Sequence, residues 1–207
     1  SDLSACKGII LSDQTLILAS ASPRRAELLT QIGVRFVVAP ADIDESQREA
    51  ESPVDYVTRM AVEKAAAGCT GQQSGLPVLG ADTGVVCDGQ VFGKPTDRAH
   101  AQAMLLALAG KTHTVMSAVA LDNGTDRQVL LSETRVTFRN ISADECFRYW
   151  QTGEPLGKAG GYAIQGLGAV FVAHLEGSYT GVVGLPIAET ETLLRRFAVP
   201  VWQSITG

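Results

Sequence analysis

The chain contains 207 residues and carries a formal net charge of −5, from 17 lysines and arginines against 22 aspartates and glutamates. Hydrophobic residues make up 45% of the chain and charged residues 19%, which is typical of a globular protein with a real core and excludes disorder for most of its length. The acidic balance also excludes a general binder of nucleic-acid polymers or anionic membranes, because such proteins need a basic face. Any anion-binding cluster must therefore be local.

The predicted elements begin with a strand followed by a helix. An apolar run over residues 15–20 is typical of a buried strand. Ser22 and Pro23 then supply an N-cap and a first helical residue, and Gly33 ends the helix. This unit places a tight turn between the strand and the start of the helix.

Two further helices and a hairpin are predicted in the middle of the chain. The second helix covers residues 53–67, with Gly68 as its stop, and the third covers residues 97–109, capped by Thr96. Between them, two apolar segments flank Asp88-Gly89, a dipeptide typical of a tight β-hairpin turn. Strands and helices therefore alternate without a linker between them.

The later segments add a second strand pair and a short helix. Alternating polarity over residues 112–122 and 128–139 predicts a long antiparallel pair. Ser142 and Glu145 have the spacing of a capping box for a short helix that follows. Since strand pairs and crossover helices both occur, we expect an α/β fold with a mixed sheet.

Glycine is concentrated over residues 154–170, where it is too frequent for a helix or a plain strand. This stretch is predicted to be a binding loop, and a last helix is predicted over residues 186–197. Residues 1–14 are expected to be a poorly ordered N-terminal extension, and residues 15–207 a single domain. We find no apolar run that suits a signal peptide or a membrane span, which favours a cytoplasmic protein.

Cysteine usage gives no sign of a zinc site or a disulfide framework. The four cysteines form no CxxC pair and are widely separated: Cys6, Cys69, Cys87 and Cys146. Buried free thiols are the preferred interpretation.

Arg24 and Arg25 fall in the first turn of the first predicted helix, where the helix dipole repels cations by up to about 1 kcal/mol each. An anion at this helix start would offset that cost, because free N–H groups, the Ser20 hydroxyl and two guanidinium groups all favour phosphate. The alternative is a pair of solvated arginines balanced by Glu27. We find no complete Walker A or dinucleotide-binding motif.

Asp82 lies inside an apolar segment over residues 78–86, where strands are depleted in aspartate. It is either a residue that faces a cleft or a buried charge that costs stability.

Two other groups of charged residues each have two open interpretations. Asp42, Asp44 and Glu45 suit Mg²⁺ or Mn²⁺ as hard oxygen ligands but equally suit a solvated acidic loop. Lys64 and Lys94 suit phosphate but on spacing alone are surface lysines.

Seven ordered blocks of the sequence resemble the Maf family of nucleotide pyrophosphatases, and together they extend from about residue 16 to residue 197. The blocks are LASASPRR (18–25), ADIDES (41–46), EKA (63–65), LGADT (79–83), GKP (93–95), KAGGYAIQG (158–166) and VVGLP (182–186). The resemblance implies a mixed twisted sheet with flanking helices and two lobes around a central cleft, similar to inosine triphosphate pyrophosphatases. It also implies a homodimer as a frequent assembly.

The same resemblance implies hydrolysis of nucleoside triphosphates to the monophosphate and pyrophosphate, with a divalent cation, in the house-cleaning of nucleotide pools. Asp82 would be the proton acceptor that activates water, and Glu45 with Asp82 would hold the metal. The residues that would grip the triphosphate are Ser20, Arg25, Lys64 and Lys94.

Arg24, Thr83 and Gln165 match the positions that separate subgroups of the family. The residues found here correspond to the subgroup that prefers dTTP, UTP and modified pyrimidine nucleotides, whereas the other subgroup prefers 7-methyl-GTP. A different class of function remains an alternative: a nucleotide-binding regulator or inhibitor of cell division that acts through protein contacts without significant turnover.

Overall fold

The computed structural model describes residues 13–203. The predicted extension over residues 1–14 therefore falls largely outside the described residues and stays a prediction, as does the state of Cys6. The other three cysteines are free thiols: Cys87 and Cys146 are buried, as predicted, whereas Cys69 is only partly buried. Across the described part of the chain, no helix has the length and apolar character needed to cross a membrane.

Seven strands of the described residues form one mixed sheet, which confirms the expected fold class. They are β1 (Leu16–Leu18), β2 (Phe36–Val38), β3 (Val78–Cys87), β4 (Gln90–Phe92), β5 (Thr112–Asp122), β6 (Arg127–Phe138) and β7 (Val172–Glu176). Their order is β2-β1-β3-β5-β6-β7, and β4 pairs with β3. The first three strands in this order are parallel, and the pairs from β3 to β7 are antiparallel.

Helices flank the sheet and follow most of the predicted positions. They are α1 (Pro23–Gln31), α2 (Pro53–Thr70), α3 (Arg98–Leu108), α4 (Ala143–Gln151), α5 (Tyr179–Val183) and α6 (Ile187–Arg196). The glycine-rich stretch contains two 3₁₀ turns, Ala159–Gly161 and Leu167–Phe171. β2, β7 and α5 were not expected from the sequence, because two of them are short and β7 is an edge strand without apolar alternation.

Two predicted helix boundaries are wrong. Gly68 does not stop α2, which continues to Thr70. A Cβ at Gly68 would lie 2.7 Å from Val78 Cγ1, so this glycine lets α2 pack closely on the sheet. The cap of α3 is Asp97, whose carboxylate accepts the backbone N–H of His100 at 2.8 Å, and not Thr96.

The core lies on both faces of the sheet. Along β5, Val115, Val119 and Leu121 contribute to a large cluster with α1, α3, α4 and α6. The alternate residues Met116, Ala118 and Ala120 pack instead with α2. Because strand side chains alternate between faces, neighbouring residues of a central strand reach opposite sides of the sheet.

A gap in the strand pairing at the edge of β3 positions the cleft. On one side, β3 pairs continuously with β5 from Val78 to Val86. On the other side, β1 pairs only as far as Leu79, and β4 pairs only from Val85 onward. Among the described residues, positions 80–84 have no strand partner on this edge, so their side chains and backbone border an opening between the two halves of the sheet.

Candidate active site

A cleft of about 570 Å³ occupies the gap at the edge of β3. This volume suits a small-molecule substrate. Its walls come from six parts of the chain: the loop between β1 and α1, the loop over residues 40–45, α2, β3, the end of the β3–β4 hairpin, and the glycine-rich segment together with residues 182–184. All nine predicted site residues line it: Ser20, Arg24, Arg25, Glu45, Lys64, Asp82, Thr83, Lys94 and Gln165.

Arg25 is fixed by contacts with three separate segments. Its Nε donates to the carbonyl of Gly184 at 2.7 Å, Nη1 to Ser20 Oγ at 3.2 Å, and Nη2 to Thr83 Oγ1 at 3.2 Å. Burial lowers the pKa of its guanidinium from the usual value, and the charge of Asp82 partly opposes this shift. Solvation of this arginine, the alternative interpretation, is therefore wrong.

Arg24 and the start of α1 complete this wall of the cleft. Ser22 caps the helix, because its hydroxyl accepts the backbone N–H of Arg25 at 3.4 Å. Arg24 Nε donates to the carbonyl of Val183 at 3.4 Å. Burial also lowers the pKa of Arg24, while nearby Glu27 opposes the shift. Two guanidinium groups at a helix N-terminus give this wall the positive charge that an anionic ligand needs.

Lys64 joins two carboxylates on the opposite wall. Its Nζ lies 2.9 Å from Asp82 Oδ1 and 2.9 Å from Glu45 Oε1. The side chains of Lys64 and Asp82 are 13% and 16% exposed, whereas that of Glu45 is 57% exposed. The hydrogen bond from Lys64 lowers the pKa of Glu45, although burial opposes the shift. Two carboxylate oxygens therefore lie next to the same ammonium group beside the cleft.

The loop that carries Glu45 is attached to α2. Tyr56 Oη donates to the carbonyl of Glu45 at 2.6 Å. Arg59 binds both oxygens of Glu51, with Nε at 2.6 Å and Nη2 at 2.8 Å, and Nη2 also donates to the carbonyl of Ser46 at 3.0 Å. These contacts hold the loop against the helix that carries Lys64.

Thr83 lies on the opposite face of β3 from Asp82 and continues the Arg25 network inward. The buried Ser117 hydroxyl donates to the carbonyl of Gly181 at 2.5 Å and lies 2.9 Å from Thr83 Oγ1. Since Ser117 uses its proton on Gly181, it accepts from Thr83. A chain of hydrogen bonds therefore connects Arg25, through the hydroxyls of Thr83 and Ser117, to the carbonyl of Gly181.

Lys94 and Gln165 are both exposed and reach the cleft from separate loops. The loops touch where the backbone N–H of Gly160 donates to the carbonyl of Gly93 at 3.1 Å. Gly160 has a φ of +73°, and a Cβ there would lie 2.9 Å from Val85 Cγ2. A side chain at this position would thus be strained and would press on β3.

The acidic cluster predicted from the sequence does not act as one unit. Asp42 and Glu45 line the cleft. Asp44 instead accepts hydrogen bonds from the backbone N–H and hydroxyl of Ser46, at 2.9 and 2.6 Å, within its own exposed loop. The solvated-loop interpretation therefore describes Asp44.

Comparison with known proteins shows the family of this chain. The family model of Maf-like proteins matches residues 15–197. The chain belongs to the Maf family. A Maf relative from Saccharophagus degradans named dTTP/UTP pyrophosphatase is 55% identical over 193 residues, which is 92% of each chain. Relatives with the same name from Hahella chejuensis and Methylococcus capsulatus are 49% and 48% identical, over 90% and 94% of this chain and 94% and 96% of theirs.

The candidate metal site of this Maf protein consists of two carboxylates, Glu45 and Asp82. Among the described residues, no group of three or more histidine, cysteine or acidic side chains has the arrangement of a metal site. Glu45 and Asp82 nevertheless direct one oxygen each to the same Lys64 ammonium. Two carboxylates fit Mg²⁺, which commonly takes one or two from the protein and its other ligands from phosphate and water.

Several residues at the Maf cleft were not found from the sequence. Tyr56 lies within the second predicted helix without any signal of a polar role, yet its hydroxyl binds the loop of Glu45. Ser117 and Lys158 were not singled out, although Ser117 supports Thr83 and Lys158 lines the cleft. A polar residue in the middle of the apolar strand over residues 112–122 was the available signal for Ser117.

Proposed function

We propose that this Maf protein hydrolyses dTTP, UTP and modified pyrimidine nucleotides to the monophosphate and pyrophosphate. The names of the similar proteins support this substrate class. The observation that carries the proposal is the position of Asp82, on the unpaired edge of β3, with its carboxylate 2.9 Å from the ammonium of Lys64 and near enough to Arg25 to oppose the fall in the pKa of that arginine. A carboxylate held beside a cation at the edge of the cleft is suited to water activation beside a bound polyphosphate.

The proposed reaction is attack of water on the α-phosphorus of the nucleotide. Asp82 accepts a proton from the water as its oxygen forms the new bond to phosphorus. The bond between the α-phosphorus and the bridging oxygen breaks, and pyrophosphate leaves with the electron pair. Ser20, Arg25, Lys64 and Lys94 bind the phosphate oxygens, because their hydroxyl, guanidinium and ammonium groups stabilise the charge that gathers on the leaving group.

Glu45 and Asp82 are the residues that would hold a divalent cation, Mg²⁺ or Mn²⁺, as part of this proposal. Such an ion supplies positive charge to the phosphate oxygens when it is bound. For both carboxylates to bind the cation, Lys64 must either keep its contacts with them beside the ion or move toward the phosphate groups. The flexible four-carbon stem of lysine allows that movement.

Base selection is assigned to Arg24, Thr83 and Gln165. The amide of Gln165 offers one donor and one acceptor, which complement the N3–H and carbonyl edge shared by uracil and thymine. Cytosine presents a different pattern on this edge. A site built on such hydrogen bonds discriminates strongly, because a mismatched base leaves polar groups unpaired. Thr83 supports this end of the cleft through Arg25.

House-cleaning of nucleotide pools in the cytoplasm follows as the biological role in this proposal, because nucleoside triphosphates are its substrates. A homodimer remains a prediction from the family resemblance. The test is release of pyrophosphate from dTTP, UTP, 5-methyl-UTP, CTP, GTP and 7-methyl-GTP, with Mg²⁺, with Mn²⁺ and with EDTA, and with products separated by anion exchange.

We expect metal-dependent formation of dTMP and UMP with pyrophosphate, and poor turnover of 7-methyl-GTP. Equal rates with EDTA would contradict the metal assignment alone. Release of orthophosphate in place of pyrophosphate would contradict attack at the α-phosphorus. Nucleotide binding without any turnover would favour a regulator of cell division that acts through protein contacts.

A further inference from the structure

Glu154 lies behind the turn that presents Gln165. Its Oε1 accepts the backbone N–H of Leu167 at 2.8 Å, and its Oε2 accepts that of Gly168 at 2.9 Å. Both bonds fix the backbone just after Gln165. Residues 163–168, called the Gln165 turn below, therefore have their C-terminal half attached to a single half-buried carboxylate.

Tyr149 fixes the other half of the same turn. Its hydroxyl donates to Glu154 Oε2 and accepts the backbone N–H of Ala163 at 3.1 Å. The tyrosine is 5% exposed and packs edge-on against Phe171, with ring centroids 5.0 Å apart. It comes from α4, whose N-terminus is fixed by the Ser142–Glu145 capping box. The Gln165 turn is thus attached at one end to α4, through Tyr149, and at the other to Glu154 in the turn that follows this helix.

The backbone of the Gln165 turn packs closely against the side chains of Glu154 and Tyr149. A Cβ at Gly166 would collide with the Glu154 carboxylate, and one at Gly168 would lie 2.7 Å from Tyr149 Oη. Burial acts to raise the pKa of Glu154, but hydrogen bonds from Tyr149, Leu167 and Gly168 lower it overall. The carboxylate is therefore charged at neutral pH, which strengthens the bonds it accepts from the turn.

We propose that Glu154, together with Tyr149, is a positioning residue for base selection, because the two side chains fix the turn from which Gln165 enters the cleft. Neither residue lines the cleft, so neither contacts the substrate directly. Gln165 itself is exposed, so the position of its backbone governs where its side chain enters the cleft. This inference rests on the proposed preference for uracil and thymine bases.

The test compares kcat/KM for UTP and CTP in the wild type, Glu154→Gln and Tyr149→Phe. Glutamine keeps the size of Glu154 but has only one oxygen, so it cannot accept both backbone N–H groups and the tyrosine proton. We expect the UTP-to-CTP ratio to fall by about tenfold in both variants, because misplacement of a contact group by a fraction of an ångström to 1 Å has effects of this size. The rate with CTP should stay nearly constant.

Glu145→Gln is the matched control. Glu145 is also a partly exposed carboxylate that accepts a backbone N–H, and it lies on α4 with Tyr149, but it binds Ser142 and Arg139 and not the Gln165 turn. The Glu145→Gln substitution should lower thermal stability without changing the ratio of kcat/KM for UTP to that for CTP. A parallel loss with both nucleotides in Glu154→Gln, at constant ratio, would show a merely structural role and overturn the proposal.

Hydrogen exchange separates this proposal from the proposed function. The backbone amides of Ala163, Leu167 and Gly168 should exchange faster in Glu154→Gln than in the wild type or in Glu145→Gln. A wild type that releases no pyrophosphate would contradict the proposed function, and faster exchange would then still support the attachment of the turn. Unchanged exchange at these amides would overturn the proposal whatever the activity.

Discussion

The Lys64 ammonium donates a 2.9 Å hydrogen bond to Asp82 Oδ1 and so connects the middle of α2 to the unpaired edge of β3. The two residues are 18 positions apart in the chain, and each is mostly shielded from solvent. Because Lys64 also binds Glu45, loss of the lysine would leave two carboxylates facing each other. The pair holds the carboxylate of Asp82 in a fixed orientation beside the space where we place the α-phosphate.

Replacement of Asp82 by asparagine tests its role as proton acceptor. We expect Asp82→Asn to lower kcat by about 10²- to 10⁴-fold, the usual contribution of a general base, while the Kd for UTP measured in EDTA, where the metal role of Asp82 does not contribute, changes little. Single-turnover release of pyrophosphate and calorimetric binding measure the two quantities. Asp88→Asn is the control, because Asp88 is an exposed carboxylate at the hairpin turn, paired only with Lys111 in the described contacts. An Asp82→Asn enzyme with a normal rate would refute the assignment.

Local features of this fold were predictable from the sequence, whereas the long-range hydrogen bonds that hold the site residues in place were not. The Ser22 cap, the Asp88-Gly89 turn and the Ser142–Glu145 capping box depend on residues a few positions apart. Arg25 and Gly184, in contrast, are 159 positions apart, and only the assembled sheet brings them together. Glycine misled the prediction at Gly68 because it serves close packing there and not helix termination.

Ser117→Ala tests the bonds that support Thr83 and Arg25. The change removes the 2.9 Å bond between the Thr83 and Ser117 hydroxyls, so that the Thr83 hydroxyl keeps as acceptor the Gly184 carbonyl at 3.4 Å, and it takes the Ser117 donor away from the Gly181 carbonyl. This loss should cost about 1–3 kcal/mol of unfolding free energy. We also expect a higher KM for UTP, since Arg25 loses part of its support. Ser132→Ala is the control, because it removes a buried hydroxyl from the position paired with Ser117 on β6. Equal KM values for Ser117→Ala and the wild type would contradict this coupling.

Arg59→Met tests whether the attachment of the acidic loop matters for the metal. Methionine keeps much of the length but loses the bonds to Glu51 and Ser46, so the loop that carries Glu45 should become less well positioned. We expect the Mg²⁺ concentration for half-maximal activity to rise several-fold, with a smaller change in kcat at saturating Mg²⁺. Arg195→Met, which breaks an exposed pair with Glu191, should leave the Mg²⁺ dependence as in the wild type. A lower kcat at saturating Mg²⁺ with an unchanged half-maximal concentration would argue against this role of the loop.

The burial of His113 predicts how the stability of the fold depends on pH. It is 1% exposed, its Nε2 lies 2.6 Å from Tyr162 Oη, and Nδ1 has no partner among the described residues. Burial lowers the pKa of His113 from 6.5 to about 4, so the unfolded chain binds a proton between these values while the folded protein does not. The sign follows from this difference: the stability is fully present above pH 6.5 and is lost progressively as the pH falls toward 4.

The size of this loss is about 3 kcal/mol, since each unit of pKa difference corresponds to about 1.4 kcal/mol. Urea unfolding at pH 7, 5.5 and 4 measures it as the difference between the wild type and His113→Gln, in which the titrating group is absent. Carboxylates that titrate in the same range affect both proteins equally and cancel. His174→Gln removes an exposed histidine and should retain the pH dependence of the wild type. If His113→Gln loses as much stability as the wild type between pH 6.5 and 4, protonation of His113 does not limit the acid stability of the fold.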